Sequence, residues 1–292
     1  MKKNKIAIFL NYGHGDIMTA MSVLKYKDIL WTNSEIVWFC SPSKYDLLKF
    51  APVELRPWED FKILLENKNE DCTLNHDFKH YFKSLDDIDI GYFPAPWQYS
   101  PDHPARKDID YPNISKKIFK VDPNLEWHPQ LYFSKQEEEM IKDFCLSLPY
   151  KKTIMIETDY NSGQSLWDDS ITFKTIEICK NKFKNCNVIL SSKSDYSNFL
   201  NIDGVVSASN FTLRQAALIN NYADLFIGVS SGLSVAVNCW GNKPTPKIQY
   251  ANTFYCSTQS LANGPFNLIK IHQNNNHKEE YYNTLIYNLN NI

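Results

Sequence analysis

Two serines and a glycine near residue 230 stand where a chain could bind phosphate. The apolar run Leu225–Val229 predicts a buried strand, and a helix beginning at Leu233 follows it. The first amide groups of a helix lack partners within it and carry partial positive charge, so they can hold a diphosphate without a metal. The candidate ligands are Ser230, Ser231, Gly232, Leu233 and Ser234. An ordinary strand-to-helix turn would show the same pattern.

A second candidate segment, NYGHGDIMT at residues 11–19, follows the first predicted strand. In open α/β sheets, ligands bind beyond the carboxyl ends of the strands, which is where this segment lies. His14 and Asp16 are therefore both candidate catalytic bases. Asp16 could instead cap the helix that begins there, and His14 could be a solvated loop residue.

Further polar candidates follow later predicted strands. Glu157 and Asp159 leave the strand predicted over 153–156 toward the same kind of edge, where they could bind hydroxyl groups of a ligand. Gln164 ends a polar loop suited to sugar or phosphate contacts. The proline-rich residues 91–113 cannot form a regular helix, and long loops of this kind often contact ligands.

Metal chemistry is not indicated by the sequence. His76 and His80 are spaced to share a helix face, but no glutamate follows His76 and no third ligand is identifiable, so no metal site is expected. Asp168 and Asp169 precede a predicted helix, where capping is a simpler role than acid–base chemistry. No bound cofactor is expected.

Composition and charge exclude several classes of protein. The 292 residues are 43% hydrophobic, which is enough for a large core and about two domains. The formal net charge of −2 gives no broad cationic surface for nucleic acid. No apolar run is long enough to cross a membrane. The seven cysteines are odd in number and include no CxxC pair, which disfavours a disulfide framework and a thiolate zinc site and favours a cytoplasmic protein.

Strand-like and amphipathic stretches alternate along the chain, which predicts an α/β fold with parallel sheets. A capping-box pattern opens a helix over 135–147, and Pro149 lies in the linker after it, so we expect domains at 1–149 and 150–292. The predicted strands are 6–10, 35–40, 153–156, 188–191 and 225–229, and the other predicted helices are 16–30, 170–183, 212–221 and 278–289.

Residues 212–244 resemble the nucleotide-sugar-binding signature of the heptosyltransferase-like glycosyltransferases, family 9. The shared residues are Leu213, Ala216, Ala217, Leu218, Ile219, Ala223, Asp224, Ile227, Gly228, Ser231, Gly232, Ala236, Gly241 and Pro244. Gly15 and Asp16 are similar to the family's Gly-Asp pair after the first strand. Trp167 is similar to its tryptophan after the first strand of the second domain.

The resemblance implies a GT-B fold, in which two Rossmann-like domains face a central cleft, the first binding the acceptor and the second the nucleotide-sugar. It implies an inverting, metal-independent transfer of a heptose or hexose-like sugar from a nucleotide-diphosphate sugar to a hydroxyl of a bacterial surface glycan, in lipopolysaccharide or capsule synthesis. Asp16 corresponds to the family's general base, with His14 kept as the alternative. Gly15, Trp97 and Arg106 are the candidate acceptor contacts. Association with the inner face of the inner membrane is compatible with this activity.

Because the chain departs from the family pattern at three places, the sequence does not identify the nucleotide-sugar donor. Ser230 replaces an aspartate, Val235 replaces a common histidine, and no lysine stands shortly before Trp167. Lys193 could supply the missing positive charge, although a surface lysine would look the same. A nucleotide-sugar epimerase or hydrolase on the same scaffold, and a binding protein without catalysis, remain alternatives.

Overall fold

The computed structural model divides into two compact units, Met1–Phe133 and Ser134–Ile292. It describes residues 3–58, 88–94, 111–158, 166–191, 196–229, 231–239, 241, 243, 245–252, 266–271 and 276–292. Each unit contains one parallel sheet, and each is described by itself below.

The first unit has a four-stranded sheet in the order β3-β2-β1-β4, with all neighbours parallel. Its elements are β1 Lys5–Phe9, α1 His14–Met21, a 3-10 turn Ser22–Tyr26, α2 Lys27–Leu30, β2 Glu35–Cys40, a 3-10 segment Pro42–Leu48, β3 Glu54–Pro57, β4 Ile90–Tyr92 and α3 Tyr111–Ile118. Strand β1 is central, so nearly all of its side chains are buried. The ring of Phe9 stacks on those of Phe39 and Phe93, at 4.7 and 4.8 Å between centroids.

The second unit has a six-stranded parallel sheet in the order β10-β9-β8-β5-β6-β7. Its elements are α4 Lys135–Leu146, β5 Lys152–Glu157, α5 Asp169–Phe183, β6 Cys186–Ser191, β7 Val205–Ser207, α6 Leu213–Ile219, a 3-10 turn Asn220–Tyr222, β8 Leu225–Val229, α7 Gly232–Ala236, β9 Lys247–Asn252, β10 Phe266–Ile271 and α8 His277–Asn290. The order reverses between β5 and β8, and in such sheets ligands bind at the carboxyl ends of the strands beside this reversal.

Most predicted elements agree with the structure to within one or two residues, and β2 and β8 have the predicted bounds. Three differences stand out. The helix predicted over 16–30 is helical throughout, but in three pieces with a 3-10 turn in the middle, and it begins earlier, at His14. Helix α7 begins at Gly232 rather than Leu233.

The division between the units also falls earlier than Pro149. Helix α4 belongs to the second unit, because the Glu137 carboxylate accepts two hydrogen bonds from the Arg214 guanidinium on α6, at 2.6 and 2.9 Å. The capping box predicted at Ser134 and Glu137 is present at the start of α4.

Candidate active site

In the first unit, Asp16 occupies the third position of α1, just beyond the carboxyl end of β1. The backbone N–H groups of Gly13 and of Asp16 itself donate hydrogen bonds to its carboxyl. Gly13 is the N-cap residue and has no side chain to cap the helix, so the carboxyl of Asp16 takes over part of that role. Asp16 is therefore not the N-cap residue of α1, because the helix begins earlier, at His14, and its carboxyl binds the N-cap amide from the third helical position.

Burial has the largest effect on the Asp16 carboxyl, and it raises the pKa from 3.8 to about 7. The two backbone hydrogen bonds and the positive charge of Lys44 act in the opposite direction, because they favour the carboxylate. A carboxyl with a pKa near 7 is present in both protonation states at neutral pH. Asp16 can therefore accept a proton from a hydroxyl group and release it again.

Gly13 is needed for a steric reason rather than for its backbone angles, since its φ of −59° suits any residue. A Cβ at this position would lie 2.7 Å from Oδ2 of Asp16. That separation is too short for a carbon and an oxygen without a bond between them. Alanine at position 13 would therefore push the Asp16 carboxyl out of its present position beside the N-cap amide.

If the Asp16 carboxyl is the catalytic base, Gly13→Ala should lower turnover by about tenfold to a hundredfold, because misplacing a catalytic group by about 1 Å has effects of that size. The check is a double-mutant cycle with Asp16→Ala, measured by initial rates. In the Asp16→Ala background the glycine substitution should have no further effect. A full additional loss in that background would show that Gly13 acts on something other than Asp16.

His14 and Lys44 form a second contact at this edge of the sheet. The ammonium Nζ of Lys44 lies 3.3 Å from Nε2 of His14, and both residues are partly buried. Lys44 belongs to the 3-10 segment Pro42–Leu48 after β2. Asn11 joins the ends of the two strands, since its Oδ1 accepts a hydrogen bond of 2.8 Å from the Ser41 amide. The structure therefore brings the predicted residues His14 and Asp16 together and adds Lys44.

In the second unit, Ser231 is the N-cap residue of α7. Its Oγ accepts hydrogen bonds from the amides of Leu233 and Ser234, at 3.1 and 3.3 Å. The amide of Ser231 in turn donates to Oγ of Ser234, at 3.1 Å, which completes a capping box. Three of the amides predicted to bind diphosphate, those of Ser231, Leu233 and Ser234, are thus already paired, so a phosphate would have to displace the cap or bind at Gly232.

Glu157 lies at the carboxyl end of β5 and is 6% exposed. The Ser231 hydroxyl donates to its Oε2 at 2.5 Å. Gly228 lies beside this group on the neighbouring strand β8, where a Cβ would clash with the Phe226 ring at 2.5 Å but would only be in van der Waals contact with Oε2 of Glu157, at 3.4 Å. Glu157 and Ser231, which are 74 residues apart, therefore form one polar group beside the sheet reversal.

Gln249 on β9 holds the first turn of α7 in place through hydrogen bonds. It is fully buried on β9, and its Nε2 donates to Oγ of Ser234 at 3.1 Å and to the Val229 carbonyl at 3.4 Å. The first turn of α7 is therefore tied to strands on both sides of it. Gln249 anchors Ser234, and Glu157 anchors Ser231.

Two residues singled out in the sequence have structural roles. Trp167 is buried against Tyr250 and Tyr281, and its Nε1 donates to Thr172 at 2.8 Å. Asp168 caps α5, and its carboxylate accepts from Lys278 at the start of α8, as expected for a capping residue.

Several predicted site residues lie outside the described residues. These are Trp97, Arg106, Asp159, Gln164, Lys193 and Ser230, together with His76 and His80. Gly15 is described, and its carbonyl accepts a hydrogen bond of 2.8 Å from Thr19 within α1.

Sequence reasoning missed Gly13, Lys44 and Gln249. The signal for Gly13 was present in the GHGD pattern, in which a glycine stands three residues before an aspartate at the start of a helix. The amide of an N-cap residue can donate a hydrogen bond to an acidic side chain at that spacing. Lys44 and Gln249 act across a sheet, and no local pattern indicates which strand lies beside which.

No protein-family model and no curated protein matches the sequence. Solved structures do match it. The chain is similar to E. coli ADP-heptose LPS heptosyltransferase II, with 17% identity and a TM-score of 0.64 over 97% of this chain and 99% of that one. The chain has the fold of the family 9 glycosyltransferases.

Two further solved structures have this fold. A glycosyltransferase family 9 protein from Veillonella parvula is 11% identical, with a TM-score of 0.60 over 92% of this chain and 87% of that one. E. coli heptosyltransferase WaaC, determined with ADP, is 12% identical, with a TM-score of 0.56 over 98% and 99% of the two chains. The α/β class and the GT-B type with two Rossmann-like units, predicted from the sequence, are confirmed. Among the described helices, none is both long and apolar enough to cross a membrane.

Proposed function

We propose that this chain is an inverting, metal-independent glycosyltransferase. It moves a heptose or other hexose-like sugar from a nucleotide-diphosphate sugar to a hydroxyl of a bacterial surface glycan. The observation that carries the proposal is the carboxyl of Asp16, which has a pKa of about 7 and lies at the carboxyl end of β1 in a family 9 fold. A general base is most effective when its pKa lies near the working pH.

The reaction is a single displacement at the anomeric carbon of the donor sugar. The Asp16 carboxylate takes the proton of the acceptor hydroxyl while the hydroxyl oxygen forms a bond to that carbon. The bond from the carbon to the diphosphate oxygen breaks, and its electron pair leaves with the diphosphate. Attack from the side opposite the leaving group inverts the configuration.

The donor binds to the second unit, at the group formed by Glu157, Ser231 and Ser234. The Gly232 amide is the donor in the first turn of α7 that the Ser231–Ser234 capping box does not use, so it is free to meet a phosphate oxygen. The Glu157 carboxylate is a hydrogen-bond acceptor, so it suits hydroxyl groups of the ribose or sugar rather than phosphate. The similar WaaC structure was determined with ADP, which makes ADP the first nucleotide to test.

Other contacts in this proposal come from the sequence. Ser230, Leu233, Gln164 and Lys193 complete the donor site, and Gly15, Trp97 and Arg106 contact the acceptor. We further propose that the protein acts in the cytoplasm or at the inner face of the inner membrane, where nucleotide-sugars are used, and that it needs no bound cofactor.

A thermal-shift comparison of ADP, GDP and UDP tests donor binding. A ligand that binds only the folded state raises the melting temperature, by an amount that grows with its concentration over Kd. We expect one of the three nucleotides to raise Tm, and we expect Ser231→Ala to abolish that rise.

The matched control is Ser134→Ala. Ser134 caps α4 with the same type of capping box, and α4 packs against α6. This variant should lose stability from the cap and keep the nucleotide response. If no nucleotide shifts Tm in the wild-type protein, or if both variants respond equally, the proposed donor site is wrong.

A further inference from the structure

Three charged or titratable groups meet beyond β1 and β2, namely Asp16, His14 and Lys44. The proposed function uses one base, but two candidates stand two residues apart on the same helix turn. The contact between Lys44 and His14 distinguishes the role of His14 from that of Asp16.

A lysine ammonium has three hydrogen-bond donors and no acceptor. At 3.3 Å from Nε2 of His14, it can only donate to that nitrogen, so Nε2 must act as the acceptor. The imidazole then holds its proton on Nδ1, and the lone pair of Nε2 is occupied by the ammonium hydrogen. A second proton on Nε2 would place two positive charges at this distance, which is unfavourable.

We infer that Lys44 is a positioning residue that holds Nε2 of His14 as a hydrogen-bond acceptor, and thereby leaves Asp16 as the single proton acceptor of the site. This inference deepens the proposed function and rests on it for the identity of the reaction. The arrangement of the three side chains does not depend on it. Lys44 also supplies positive charge to the Asp16 carboxyl, which favours the ionised form.

Neighbouring charges do not take over this role in the described part of the unit. Helix α3 packs against α1, but the ammonium of Lys116 donates to the Pro123 carbonyl at 2.9 Å, and Lys117 is exposed. On the segment of Lys44 itself, the other ionisable side chains are Tyr45 and Asp46, neither of which carries a positive charge. Lys44 is thus the cation that acts on the Asp16 carboxyl.

The test is nuclear magnetic resonance of the full chain, without substrate. Long-range ¹H–¹⁵N spectra of ¹⁵N-histidine-labelled protein report which ring nitrogen carries the proton. Because the chain has seven histidines, a His14→Gln variant identifies the signals of His14. At pH 8 we expect the proton of His14 on Nδ1. A proton on Nε2 would overturn the inference.

Variants of Lys44 then separate its effect on the His14 ring from the effect of its charge on the Asp16 carboxyl. Lys44→Met should shift the Nε2 resonance of His14 and raise the titration midpoint of the Asp16 carboxyl, followed by ¹³C. Lys44→Arg keeps a donor and a charge and should retain the wild-type values of both. Lys49→Met is the matched control, because Lys49 is an exposed lysine just after the same segment. If Lys44→Met and Lys49→Met give the same spectra, the inference is wrong.

Kinetics give a second readout once a donor is known. Lys44→Met should lower kcat by about tenfold and move the acid limb of the pH–rate profile to higher pH, while Lys44→Arg restores both. A rise in KM for the acceptor with an unchanged profile would instead make Lys44 a substrate contact. If no transfer is found with any donor, the proposed function fails, and the spectra still decide the role of Lys44.

Discussion

Asp16→Asn is expected to lower kcat by a factor of about 10² to 10⁴, the range that general-base catalysis contributes. The amide keeps the size of the carboxyl and can still accept a hydrogen bond from the Gly13 amide, but it cannot take a proton at neutral pH. Nucleotide binding should be retained, because the proposed donor contacts come from other residues. Initial rates together with the thermal-shift response separate the two effects.

The control for this substitution is Asp28→Asn, which removes the same charge from an exposed aspartate on α2. It should leave turnover unchanged. If Asp16→Asn remains active while a His14 variant loses turnover, the base is His14, and the proposed mechanism is wrong.

Asp16→Asn should also change how the free energy of unfolding depends on pH. The folded-state pKa of Asp16 is about 7 and the ordinary value is 3.8, so between these values the folded chain binds a proton that the unfolded chain lacks. The contribution of Asp16 to the stability of the wild-type protein therefore falls as the pH rises from about 4 through about 7. One pKa unit corresponds to about 1.4 kcal/mol, so Asp16→Asn should gain about 2 to 4 kcal/mol over the wild type at pH 8 relative to pH 4. Urea unfolding at the two pH values measures this, and a constant difference would contradict the raised pKa.

Arg214→Met is expected to destabilise the second unit by about 3 to 5 kcal/mol. The Arg214 side chain is fully buried, and its loss leaves the Glu137 carboxylate without its main partner in a site that is mostly closed to water. The guanidinium of Arg214 lowers the pKa of Glu137 to about 2. This contribution is therefore present above about pH 4.5 and is lost as the pH falls toward 2. Denaturant unfolding of the single variant measures the loss.

The double variant Glu137→Gln, Arg214→Met gives the control. Glutamine keeps the capping box at Ser134 and removes the buried charge, so most of the lost stability should return. If the double variant is less stable than Arg214→Met alone, the loss comes from packing rather than from an unpaired charge.

The sequence was sufficient for elements with a strong local pattern. Strand β8 is a short apolar run between Asp224 and the residues Ser230, Ser231 and Gly232, and all of its side chains are buried, so its bounds could be predicted. The same holds for α4, whose capping box marks its first turn. The 3-10 turn at Ser22–Tyr26 could not be predicted, because an amphipathic pattern does not distinguish a tight turn from an α-helical one.

The candidate site was predictable residue by residue but not as an arrangement. Asp16, His14, Glu157 and Ser231 were all identified from their places after strands. Their partners depend on which strands are neighbours, as the contact between Glu157 and Ser231 depends on β5 lying beside β8. The paired state of the Leu233 and Ser234 amides could have been foreseen from Ser231 as an N-cap residue, and it restricts where a phosphate can bind.

Use of a nucleotide-sugar by this chain is tested most directly by a crystal structure with the nucleoside diphosphate that gives the largest thermal shift. The proposed function predicts a phosphate oxygen about 3 Å from the Gly232 amide or the Ser231 hydroxyl. It also predicts ribose hydroxyl groups within hydrogen-bond distance of Glu157. A nucleotide bound away from the loop between β8 and α7 would contradict it.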